Sequence, residues 1–139
     1  MSDLMQAMQN YTENLSAPPP PLHVLYEAAD ALATTTNGAV QGSIFTTNPG
    51  GAFLYRHTFS LRVPALNNFT DSLFYVWYDE NLYPARYLRA GLDVKTDTLE
   101  CANEQELRDT LTNLFQESGT RLIVRSLLLQ VKELKGRTP

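Results

Sequence analysis

One cysteine, two histidines and a scatter of carboxylates are the side chains of this 139-residue chain that could do acid–base or nucleophilic chemistry. Cys101 stands beside Glu100 and just ahead of a segment opening with Glu104 and Glu106. A helix N-terminus there would lower the thiol pKa, and the neighbouring carboxylates would raise it. His57 lies between Tyr55 and Phe59 on the apolar side of a long alternating segment. Two roles fit that position: a core histidine hydrogen-bonded to a tyrosine or main-chain group, or a general base in an aromatic pocket partnered by Asp71 or Asp79. Nothing in the chain matches a G-x-S-x-G elbow, a phosphate-binding G-x-x-x-x-G-K-[ST] loop or an H-E-x-x-H helix. A single cysteine and two widely separated histidines also lack metal-ligand spacing. The expectation is a protein with no catalytic residues, no metal and no cofactor.

Binding chemistry is better represented. Arg56 and Arg62 share the polar side of the alternating segment, and Tyr75, Trp77, Tyr83 and Tyr87 offer flat rings for stacking. Arg86 and Arg89 differ in parity, so a strand there sends them to opposite faces. The candidate ligand-binding set is Arg56, His57, Arg62, Tyr75, Trp77, Arg86 and Tyr87. Against nucleic acid stands the formal net charge of −4, which gives no general attraction to phosphate. Charge is also segregated: residues 93–117 hold seven acids against Lys95 and Arg108, and residues 119–139 hold five bases against Glu133. Complementary solvated faces explain this, as does an acidic surface that receives a basic partner.

The elements that must position these groups follow from periodicity. Residues 52–62 (AFLYRHTFSLR) alternate strictly, with Phe53, Tyr55, His57, Phe59 and Leu61 on one side and Leu54, Arg56, Thr58, Ser60 and Arg62 on the other. That is a strand with one face toward helices and one wetter face. Ahead of it, residues 22–36 carry a helical stripe of Leu22, Leu25, Tyr26, Ala29, Leu32 and Ala33, closed by Asn37-Gly38. Residues 39–47 form a strand in which Gly42 signals a bulge or a close backbone approach. Asn48-Pro-Gly-Gly51 is a turn, so residues 39–62 make a hairpin. After a loop at 64–71, residues 72–78 (SLFYVWY) form a strand apolar on both faces. Residues 82–90 give a fourth strand that Pro84 pushes toward the sheet edge. Residues 91–98 form a charged turn, and 98–101 a short fifth strand. Asn103 and Glu106 make a capping box for a helix with a Leu107, Leu111, Leu114, Phe115 stripe. Ser118-Gly119 closes it, and Thr120 caps a last helix over 121–134 that is apolar nearly all round.

The order is helix, antiparallel meander of four to five strands, then two C-terminal helices packed on the sheet: an α+β fold. Residues 1–21 form an arm and proline linker, 22–135 one domain, and 136–139 a frayed tail. In the arm, Leu4, Met8, Tyr11 and Leu15 have helical spacing behind Ser2, and residues 17–21 (APPPP) form an extended spacer. No run approaches the roughly 20 apolar residues of a membrane span, no leader precedes an apolar run, and one cysteine forms no internal disulfide. A cytoplasmic location without membrane contact is the expectation. The function expected is a small non-enzymatic interaction module that binds a protein partner or a second copy, with Leu4, Met8, Tyr11, Leu128 and Val131 as interface candidates. A nucleotide- or RNA-binding module using the sheet arginines and aromatics is the alternative.

Overall fold

The structure, a computed structural model, describes residues 3–9, 11 and 18–137. It is an α+β fold: a helix, a five-stranded antiparallel meander, then helices. A short α1 (Asp3–Ala7) precedes α2 (Pro21–Thr35), and the strands are β1 (Gln41–Thr47), β2 (Tyr55–Val63), β3 (Phe69–Tyr78), β4 (Ala85–Arg89) and β5 (Leu99–Cys101). One turn of helix, α3 (Val94–Asp97), precedes β5, and α4 (Glu104–Gln116) and α5 (Ser118–Arg137) end the chain. The sheet order β1-β2-β3-β4-β5 repeats the chain order, as connections too short for a crossover require.

Local chemistry sets the element ends. Pro21 opens α2 at a position whose amide hydrogen would have no helical partner. The helix stops at Thr36, followed by Asn37 and Gly38 at φ 52° and 80°. Thr36 Oγ1 donates to the Leu32 carbonyl (2.9 Å) and accepts the Val40 amide (3.1 Å), which clamps the end of α2 to the approach of β1. Asn103 Oδ1 accepts the Glu106 amide at 2.9 Å, and Glu106 reaches back to the Ala102 amide. The expected capping box is thus present, its carboxylate bonded one residue earlier than the cap itself.

The helices cover one face of the sheet. α2 lies along β1, α4 packs between α2 and β5, and α5 packs on α4 and on the 3-10 turn Pro64–Leu66. Beneath them Phe59 stacks on Phe74 with ring centroids 4.8 Å apart, and Phe115 meets Phe59 edge-on. Leu25, Val40, Leu61, Val63, Val76, Leu107 and Leu114 complete the buried centre. Gly42 marks a close backbone approach: a Cβ there would lie 2.6 Å from Phe59 Cζ and 2.9 Å from Ala29 Cα. Only glycine lets α2 sit that close to β1. The bulge lies elsewhere, between Phe59/Ser60 of β2 and Phe74/Ser72 of β3, and its extra residue, Leu73, is buried.

Several boundaries differ from the sequence expectation. The long alternating strand starts at Tyr55, not at residue 52, because the turn that Pro49-Gly50-Gly51 begins runs on to a bridge between Gly50 and Phe53. Phe53 therefore leaves the His57 side and meets Trp77 edge-on at 6.5 Å. β4 is interior, flanked by β3 and β5, and Pro84 precedes it across a cis Tyr83–Pro84 bond rather than marking an edge. β3 begins at Phe69, inside the expected loop, and residues 94–97 form a helical turn. Ser118 starts α5, so Ser118-Gly119 does not close α4; the extended Glu117 (ψ 141°) does. Thr120 is the third residue of α5, buried, and its hydroxyl caps nothing. α5 also extends through Arg137, past the expected tail boundary. In the arm, helix covers Asp3–Ala7 alone, and Ser2 and Leu15 lie outside the described residues.

Candidate functional site

The second sheet face carries the chemistry. Residues on β2, β3 and β4 alternate, so every other side chain points away from the helices. Register lines these up in rows across the strands. Thr47, Arg56, Trp77, Arg86 and Glu100 form one row, and Phe45, Thr58, Tyr75 and Leu88 form the next. Ser43, Ser60 and Ser72 make a third, and Gln41, Arg62 and Thr70 a fourth.

The first two rows interlock. The Arg56 guanidinium lies over the Tyr75 ring, 5.0 Å from its centroid. The Arg86 guanidinium lies over the Phe53 ring at 5.1 Å, and Phe53 in turn meets Trp77 edge-on. Each cation is held by a ring face, an arrangement worth about 0.5–1 kcal/mol at an exposed site. Glu100 stands 3.9 Å from Arg86, too far for a strong pair at a solvated surface. Phe45 projects from the edge strand β1 and is 68% exposed. The rows beyond are polar: Arg62 donates to Gln41 Oε1 at 3.1 Å, and Ser60 lies beside Ser72. The result is an open platform with aromatic rings, three arginines and one carboxylate, on a chain whose net charge is −4.

Five of the seven expected ligand residues, Arg56, Arg62, Tyr75, Trp77 and Arg86, share this face. His57 and Tyr87 do not: they point under the helices and are buried. The reason is strand parity, which separates His57 from Arg56 and Tyr87 from Arg86 by one residue each. Phe45 and Phe53 belong to the platform and were missing from the expected set. Phe45 was readable as the odd-parity neighbour of Ile44; Phe53 became visible only with the end of the Gly50–Phe53 turn.

His57 is saturated where it sits. Its Nδ1 lies 2.8 Å from Thr46 Oγ1 and its Nε2 2.6 Å from Tyr78 Oη. Burial holds its pKa below the ordinary histidine value. Burial, with Tyr55 close by, pushes the Tyr78 phenol up to about 12. These are the properties of a neutral polar pair inside a core, and neither Asp71 nor Asp79 hydrogen-bonds to the ring. Cys101 is also buried; burial raises its thiol pKa first, and the Thr110 hydroxyl 3.6 Å away opposes that. Among the described residues no group of three or more His, Cys, Asp or Glu is placed to hold a metal ion.

The expected interface residues divide as well. Leu4, Met8 and Tyr11 are exposed, and none of α1 is buried. Val131 is part of the core, facing the same way as Leu127. Leu128 is half-buried at the wall of a groove of about 630 Å³ that runs between α2, α4 and α5. The outer side of α5 exposes Leu122 and Leu129. No helix among the described residues is long and apolar enough to cross a membrane. Compared with protein-family models, with curated proteins and with solved structures, the chain finds no match.

Proposed function

We propose that the chain is a non-enzymatic interaction module whose open sheet face receives a protein partner. One observation carries this: Arg56 and Arg86 are held against Tyr75 and Phe53 on the sheet face turned away from α2 and α4, with Trp77 between them. Rings and arginines pre-ordered in this way lose little freedom on binding, and Trp, Tyr and Arg are the residues that dominate protein interfaces. The sealed His57–Tyr78 pair and the buried Cys101 thiol support a binding role over a catalytic one. A cytoplasmic setting is part of the same proposal, in keeping with a lone, buried, free cysteine.

A second reading rests on the same residues. Arginines interleaved with aromatic rings on an open sheet also suit single-stranded RNA or a nucleotide, whose bases stack on rings while phosphates meet the guanidiniums. Trp77 is the one tryptophan in the chain and lies at the centre of the platform. Its fluorescence therefore separates the two readings. Recovery of a protein partner from native lysate by the parent chain, lost with Trp77→Ala, supports the protein reading. A saturable Trp77 response to nucleotides or oligouridine, falling steeply with salt, replaces it with the nucleic-acid reading. A parent chain and a Trp77→Ala variant that recover the same proteins, with no response to the nucleotide panel, would remove the platform as a binding face.

A further inference from the structure

The helical layer, on the opposite side of the sheet from Trp77, holds the groove of about 630 Å³. α2 and α5 pack on α4 more than on each other, so α4 is the floor of the groove and the other two helices are its walls. The lining is apolar: Ala28 and Leu32 of α2, Leu111 and Phe115 of α4, and Val124 and Leu128 of α5. A cleft of this size and lining is of the kind that takes a small, mostly apolar ligand. The short side chains of Ala31 and Thr35 on α2 and Thr112 on α4 leave its space open. The groove also accounts for α5 being more apolar than one buried stripe requires. Leu127 and Val131 enter the core, whereas Val124 and Leu128 stay half-buried and line the groove.

Charge marks the α5 wall. Six of the eight arginines in the chain have a partner for the guanidinium. Arg86, Arg89, Arg108 and Arg137 each face a carboxylate, Arg56 lies over Tyr75, and Arg62 donates to Gln41. Arg121 and Arg125, one turn apart on α5, are the two with no acid, amide or ring against them among the described residues, and both line this groove. Arg108 lines it too, but Glu27 and Glu104 already neutralise it. On a chain of net charge −4, the two unpaired cations of the groove therefore sit together beside its apolar floor.

We propose that the groove binds a single-chain aliphatic carboxylate, a fatty acid, with its alkyl chain along Leu32, Leu111, Phe115 and Leu128 and its carboxylate at Arg121 and Arg125. The complementarity is twofold. The guanidinium fork matches a carboxylate in charge and shape, and two of them a turn apart supply more donors than one headgroup uses. The groove follows α2 from Val24 to Thr35, about 16 Å, which suits an extended chain better than a compact ring system. A cationic amphiphile would meet the two arginines with like charge, and an uncharged one would leave them unpaired. The groove is separate from the sheet platform, so this proposal and the platform reading can fail independently.

Titration of the full chain with cis-parinarate, a fluorescent fatty acid, tests the assignment. Its emission should rise saturably and be reversed by decanoate, while Trp77 emission stays constant. Lengthening the competitor from octanoate to decanoate, and again to dodecanoate, should tighten binding by about tenfold at each step, as burial of two further methylenes requires. Ala31→Trp places an indole in the groove from an exposed position of α2 and should abolish binding with an unchanged melting temperature. Arg121→Gln with Arg125→Gln should weaken decanoate by about tenfold or more and leave the affinity for decanol as it was. No saturable response to cis-parinarate, a response that survives Ala31→Trp, or decanoate binding indifferent to the loss of both arginines would each overturn the proposal.

Discussion

The two faces of the sheet are built from alternate residues of the same strands, and they obey different rules. On β2, His57 and Phe59 enter a sealed core while Arg56 and Thr58 look out from the same stretch of backbone. On the covered face every polar atom of the His57–Thr46–Tyr78 group is matched, and the aromatic rings stack ring to ring. On the open face the aromatic rings are capped by cations. The same residue type thus does different work by parity: Phe59 stabilises the fold, and Tyr75 holds an arginine in place for something outside it. What separates core from platform is one residue of register.

The sharpest way to break this contrast is to remove the core stack. Phe59→Ala deletes a fully buried ring that touches Phe74 and Phe115, and should cost about 3–5 kcal/mol of unfolding free energy. Chemical denaturation followed through Trp77 measures it. A loss under about 1 kcal/mol would mean the covered face is not the stabilising one. Next in size is Gly42→Ala. Its new Cβ would collide with Ala29 Cβ at 2.8 Å and the Ala29 backbone at 2.9 Å, which forces α2 away from β1. A destabilisation of about 1–3 kcal/mol is expected.

pH probes the covered face without touching its volume. The pKa of His57 is held below the value it has in the unfolded chain. The unfolded state therefore takes up a proton first as pH falls, so the stability from neutral His57 is full above about 6.5 and is lost progressively below it. The unfolding midpoint in urea should fall as the pH is lowered below about 6.5. In His57→Gln, which keeps a hydrogen-bonding side chain without a titration, that part of the slope should vanish. An unchanged slope would place the titration elsewhere.

Much of this contrast was legible in the sequence, because alternation over residues 55–63 reports two-sidedness directly. The meander followed from turns too short for anything else, and the α4 cap from Asn103 and Glu106. What was not legible depended on neighbours distant in sequence. Phe53 was counted with His57 because periodicity alone does not show where a glycine turn hands over to a strand. The bulge at Leu73 leaves no mark in a run as apolar as residues 72–78. Thr120 read as a helix cap from its type, but the break falls at Glu117, three residues earlier, and packing buries the hydroxyl. The groove is invisible in one dimension, since its walls come from three helices whose spacing the sheet decides.

The smallest effect on stability belongs to the open face, and it is the most informative for function. Arg56 is exposed, and its guanidinium touches a ring rather than a buried acid. Arg56→Ala removes one cation–π contact and leaves no buried charge behind, so unfolding free energy should change by less than about 1 kcal/mol. Binding should respond quite differently. An arginine already held in place by Tyr75 meets a partner at low entropic cost, and truncating such a residue commonly weakens association by about 2 kcal/mol or more. The predicted signature is an unfolding curve that overlays the parent's and a partner affinity reduced by about thirtyfold. Arg62→Ala is the matched control, since Arg62 lies on the same face but contacts Gln41 rather than a ring. If the two substitutions reduce binding equally, charge alone recruits the partner; if only Arg56→Ala does, the ring-held geometry is what the open face was built to present.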